Sequence, residues 1–210
     1  MKLLLFILLL TSTRVFSQGT MDMGKVKADD RFDCSSYTLI DPLYGNWPYI
    51  DSVYGIKKIC DSKNEIEIRF TACYGPMPMF DIVILSLNKD QWVAKKFQFY
   101  IRDYLDIDSA RNANSGKVIV STLKADQGFN SVFNKLKENN VFSLPNLREI
   151  KNKPHGPVCG LMCIVTFKAD DKYRTYSFSN PDYYAENSSR KIFKNYNNIV
   201  EILSKQLVKE

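Results

Sequence analysis

The densest gathering of reactive side chains is His155-Gly156-Pro157-Val158-Cys159-Gly160-Leu161-Met162-Cys163, which holds the single histidine and two of the five cysteines. Imidazole, thiolate and thioether are the donors that suit copper, so His155, Cys159, Met162 and Cys163 form a candidate metal set. Met77-Pro78-Met79, near Cys73, and Met21-Asp22-Met23 would add sulfur if the chain brought them together. The spacing itself argues against convergence. Residues four apart on a strand share a face but lie about 13 Å apart at roughly 3.3 Å per residue, too far for one ion or one disulfide. Cys159 and Cys163 meet only if Gly160 breaks the strand into a turn. His155 with either cysteine is also the only Cys/His combination for nucleophilic catalysis, and oxidation outside the cytoplasm would consume that thiol. Gly-x-Ser-x-Gly, His-Glu-x-x-His and phosphate-binding loops are absent. Glu65 with Glu67, or Asp103, Asp106 and Asp108, could serve a hydrolase as an acid/base pair. A chain with 23 acids offers such pairs by chance, on solvated faces and in turns. No catalytic residue and no cofactor is assigned.

Aromatic side chains point more directly to binding. Tyr44, Trp47 and Tyr49 crowd the loop Asp41-Pro42-Leu43-Tyr44-Gly45-Asn46-Trp47-Pro48-Tyr49, where they either stack on a sugar or a protein partner or fold back as a plug. Tyr183-Tyr184 poses the same question.

The address comes from the start of the chain. Met1-Lys2 leads into the apolar run Leu3 to Leu10, and Val15-Phe16-Ser17 offers a cleavage site, so residues 1–17 read as a signal peptide. The run falls short of the ~20 apolar residues of a bilayer-spanning helix. The product is expected to be secreted or periplasmic, starting at Gln18, with no stable membrane anchor. Losing Lys2 and Arg14 lowers the charge from +6 to +4, with 27 bases against 23 acids. These bases are scattered as pairs, without the stripe that nucleic acid binding needs. The expected partner is a protein or a glycan of unknown identity. In an oxidising compartment Cys34, Cys60, Cys73, Cys159 and Cys163 are all disulfide candidates. Because strand Val158 to Lys168 separates the last two, at least one long-range bridge from Cys159 or Cys163 to Cys34, Cys60 or Cys73 is expected. Asn187-Ser188-Ser189 is a glycosylation sequon, meaningful mainly in a eukaryotic secretory pathway.

Residues 18–33 are polar and read as a flexible leader; residues 34–210 suit one domain. Glu65 to Phe70 alternates, with Ile66, Ile68 and Phe70 facing inward and Glu65, Glu67 and Arg69 outward, as in a half-buried strand. Phe80 to Leu87 and Gln91 to Tyr104 form a hairpin about Asn88-Lys89-Asp90, and Lys117 to Leu123 is a further strand. Phe129, Val132, Phe133 and Leu136 then repeat at helical spacing, with Asp126 in a capping position. Phe142, Leu144 and Pro145 bring the chain back across the core. A second hairpin turns at Ala169-Asp170-Asp171, stopped by Asn180-Pro181. Ile192, Phe193, Tyr196, Ile199, Ile202, Leu203 and Leu207 share one stripe of a terminal helix. The class is α+β, an antiparallel sheet built from hairpins and covered by about two amphipathic helices. From the Phe129 helix through Phe142-Ser143-Leu144-Pro145-Asn146 to Tyr173-Arg174-Thr175-Tyr176-Ser177-Phe178-Ser179-Asn180-Pro181, the C-terminal third resembles a pattern in small secreted bacterial proteins, a likeness that implies no activity. The expected function is an exported, disulfide-supported, non-catalytic binding module. The alternatives are a copper-binding protein and the carboxylate hydrolase.

Overall fold

The computed structural model describes residues 23, 25–28, 56–74, 79–100 and 117–210. Seven strands form one antiparallel sheet: β1 (Ile66–Tyr74), β2 (Met79–Asn88), β3 (Gln91–Tyr100), β4 (Lys117–Ala125), β5 (Leu161–Ala169), β6 (Lys172–Ser179) and β7 (Leu207–Lys209), in the order β6-β5-β1-β2-β3-β4-β7. Three α-helices accompany them: α1 (Phe129–Glu138), α2 (Pro181–Glu186) and α3 (Lys191–Lys205). The protein is therefore α+β.

Turn chemistry accounts for the tight connections. Lys89 and Asp90 both take positive φ between β2 and β3, which matches the right-handed twist of the flanking strands. At the other end of the sheet Asp170 does the same between β5 and β6. Helix α1 starts later than its sequence suggests. β4 runs on to Ala125, Asp126 is used in the following turn, and Gly128 at φ +78° becomes the residue before the first helical turn.

Register sorts the side chains by face. Ile68 lies level with Leu85 and Phe167, and Phe70 with Val83 and Val165. These residues form one buried cluster with Val132, Phe133 and Leu136 of α1 and Phe193, Tyr196, Ile199, Ile202 and Leu203 of α3. Rings tie it together. Phe133 lies 5.0 Å from Trp92 and 5.9 Å from Phe142, Phe142 meets Phe167 edge-on at 5.0 Å, and Phe178 stacks on Tyr196 at 4.6 Å. Met23 and Val26 pack against the same core, and the Lys27 N–H donates to the Phe142 carbonyl at 3.0 Å. These residues of the expected leader thus touch the domain.

Two C-terminal features differ from the sequence expectation. Asn180-Pro181 ends β6 but also starts α2, since proline at a first helical position gives up no needed N–H and its φ suits the helix. Leu207 leaves the helical stripe and pairs with Ala125 at the sheet edge. Among the described residues, no helix is long and apolar enough to cross a membrane.

Candidate binding site

The sheet face away from the helices holds the site. Glu67 and Arg69, read from alternation as solvent-facing, are only 3% and 2% exposed, and Thr71 is 2% exposed. Their cover is the segment that includes the 3-10 turn Ile59–Asp61, where Ile56 and Ile59 are buried. Alternation in β1 was therefore a correct statement of two faces and a wrong guide to burial. In the middle of a wide sheet, a polar face can be covered by a segment that carries no periodic signal of its own.

Buried charge needs partners, and Glu67 has a full set. Its Oε1 accepts from Arg69 Nε at 2.7 Å and lies 2.6 Å from Nη2 in an ion pair, while Oε2 accepts from Asn64 Nδ2 at 2.6 Å and from the Ser62 hydroxyl. Arg69 Nη2 also donates to the Lys57 carbonyl at 2.6 Å. Lys168 Nζ holds the Ser62 carbonyl, which anchors the covering segment to β5. Among the described residues, Arg69 Nη1 is left buried with no hydrogen-bond partner. A guanidinium has five N–H donors, so an orphaned pair in the interior is a costly vacancy in the network.

Beside this pair opens a cleft of about 390 Å³, between the covering segment and strands β1 to β3. Ile84, Val93 and Phe97 give it an apolar wall; Lys57, Lys63 and Lys95 give it cations. That volume lies at the lower end of small-molecule sites, and the lining residues are mostly polar, with the apolar wall on β2 and β3. A second cleft of about 370 Å³ beside α1, lined by Met23, Lys25 and Phe142 among others, has no unpartnered buried polar group among the described residues.

The residues singled out from sequence lie elsewhere. His155 and Cys159 are exposed in the loop before β5, which starts only at Leu161. Gly160 at φ +144° makes the bend, and Asn180 fills the space beside it: a Cβ there would meet Asn180 Oδ1 at 1.8 Å. Cys163 is wholly buried on the helix-covered face, while Met162 points to the opposite face, level with Cys73. Burial first, then the nearby Cys73 and Asp182, pushes the Cys163 thiol well up, which suppresses the thiolate. Among the described residues, no three of His, Cys, Asp or Glu are grouped to hold a metal ion.

Cys73, Cys159 and Cys163 are present as thiols. The long-range bridge expected from Cys159 or Cys163 is therefore not made. Cys159 sits outside the strand on an exposed bend, and Cys163 is enclosed in the apolar core, so neither meets a partner. Cys34, with Tyr44, Trp47 and Tyr49, lies outside the described residues, as do Asp103, Asp106 and Asp108. Tyr184 is buried, stacked on Phe193 at 5.3 Å, and the Tyr183 hydroxyl donates to the His155 carbonyl at 2.8 Å. Both thus hold the structure around α2.

The buried Glu67–Arg69 pair and the mixed cleft beside it make up the candidate site. No protein-family model, curated protein or solved structure matches this chain.

Proposed function

We propose that the protein is an exported, disulfide-supported, non-catalytic binding module that takes its ligand on the outer face of the sheet, in the cleft beside Glu67 and Arg69. The observation carrying this reading is the buried Glu67–Arg69 pair with one guanidinium nitrogen left over, next to a cleft walled by Ile84, Val93 and Phe97. Glu67 is held by three hydrogen bonds and the Arg69 ion pair, which favours binding over acid/base work in hydrolysis. Export rests on the apolar run and cleavage site of residues 1–17. For the cross-link, Cys60 is disulfide-bonded, and Cys34 is the partner proposed for it.

The test is differential capture on immobilised protein, from host secretions and on a glycan array. Wild type is compared with a Val93→Asp/Lys95→Glu double variant of matched melting temperature. Both positions are exposed, so the variant changes the cleft without entering the core. A protein or glycan retained at least tenfold better by wild type supports the site. Equal retention by the two proteins removes it.

A further inference from the structure

The charge and shape of the cleft narrow its ligand. Lys57, Lys63 and Lys95 are exposed and have no ion-pair partner among the described residues. Asp61 is the one acid in the lining whose carboxylate is not already consumed, because Glu67 is saturated by Arg69, Ser62 and Asn64. The field in the cleft is therefore positive. Arg69, Ile84 and Lys95 lie in one row across β1, β2 and β3, so the buried guanidinium and an exposed ammonium flank an apolar side chain. Val93, 44% exposed, and Phe97 extend that apolar surface along β3 on the same face.

We propose that this cleft takes a small amphipathic carboxylate, its head drawn to Lys95 and to the unpartnered Nη1 of Arg69 and its alkyl part lying on Ile84, Val93 and Phe97. This rests on the binding-module reading of the same site. A planar carboxylate matches the donor fork of a guanidinium and would complete its hydrogen bonding, whereas inorganic phosphate would leave the apolar wall uncovered. At roughly 30 Å³ per non-hydrogen atom the cleft holds about a dozen, the size of a medium-chain fatty acid.

Octanoate is the probe, titrated calorimetrically into the full exported protein, with 1-octanol and inorganic phosphate as controls. Octanoate should bind with a negative heat-capacity change, as burial of its chain requires. Its affinity should fall at least tenfold in Lys95→Glu and in Val93→Asp. Octanol should bind at least tenfold more weakly, and phosphate should not compete. The side-chain ¹⁵N resonance of Arg69 should shift on saturation, a readout that fold stability alone does not move. Octanol binding as tightly as octanoate, unchanged affinity in both variants, or no binding at all would overturn the proposal. If octanoate fails while the double variant still loses the captured partner, the ligand class is wrong and the binding site stands; if both fail, the site itself is wrong.

Discussion

Tyr74 marks the place where the helix-facing side of the sheet turns polar. At 38% exposure it donates to Asp81 Oδ2 at 3.4 Å, and Asp81 also pairs with Lys96 at 2.7 Å and accepts from Gln98 Nε2 at 3.3 Å. Burial, and then the Asp81 carboxylate, pushes the Tyr74 phenol up to about 12 from an ordinary 10.0. A folded-state value above the unfolded one means that the neutral phenol is favoured on folding. This stabilisation is complete below pH ~10 and is lost as the pH rises through ~12. Tyr74→Phe should therefore narrow its stability gap to wild type between pH 10 and 12, as measured by urea unfolding at each pH. A gap constant from pH 9 to 12 would show that the phenol is not perturbed. Little of this was legible in sequence, because Tyr74 and Asp81 stand seven residues apart on different strands. Glu67 and Arg69 were legible as a pair on one face, but their burial depends on Ile56 and Ile59, which show no pattern to read.

At the scale of elements, helix α1 tests how far periodicity can be trusted. Phe133 is 1% exposed between Trp92 and Phe142, at the phase set by Phe129, Val132 and Leu136. Phe133→Asp should cost about 3–5 kcal/mol, since an unpaired carboxylate would enter an aromatic cluster. From sequence alone Lys135→Asp is expected to be nearly silent. The structure raises that expectation, because Lys135 Nζ donates to Gln127 Oε1 at 2.8 Å and to Gln206 Oε1 at 3.0 Å, joining the two ends of the helical layer. Lys135→Asp loses both bonds and sets an anion in the last turn of the helix, so a loss of about 1 kcal/mol is expected. Urea melts of the two variants decide this; a Phe133→Asp melt equal to wild type would mean that the phase is wrong. Strands β1 to β6 and helices α1 and α3 were readable because strand patterning and the i, i+3, i+4 repeat are local properties. The six-residue helix α2 is too short for a period to emerge, and β7 exists only because β4 offers it an edge.

For the whole molecule, the proposed Cys34–Cys60 link bears on how the covering segment is held over the cleft. Closing a loop of about 26 residues would remove roughly 3–4 kcal/mol of unfolded-state freedom in the chain-entropy model. Non-reducing peptide mapping should recover a Cys34–Cys60 peptide, with Cys159 alkylated in native protein and Cys163 only after unfolding. Cys60 found joined to Cys73, Cys159 or Cys163 would reject the pairing. By itself the sequence determined the α+β class, the positions of the hairpin turns and the inward-facing residues of β1, α1 and α3, all of which follow from contacts within a dozen residues. Only the tertiary structure decided that β1 pairs with β5, nearly a hundred residues later, that Cys159 is exposed while Cys163 is enclosed, and that the charged face of β1 is covered. Each of those outcomes depends on which distant segments share the sheet, and loop-closure entropy varies too slowly with length for local spacing to choose among them.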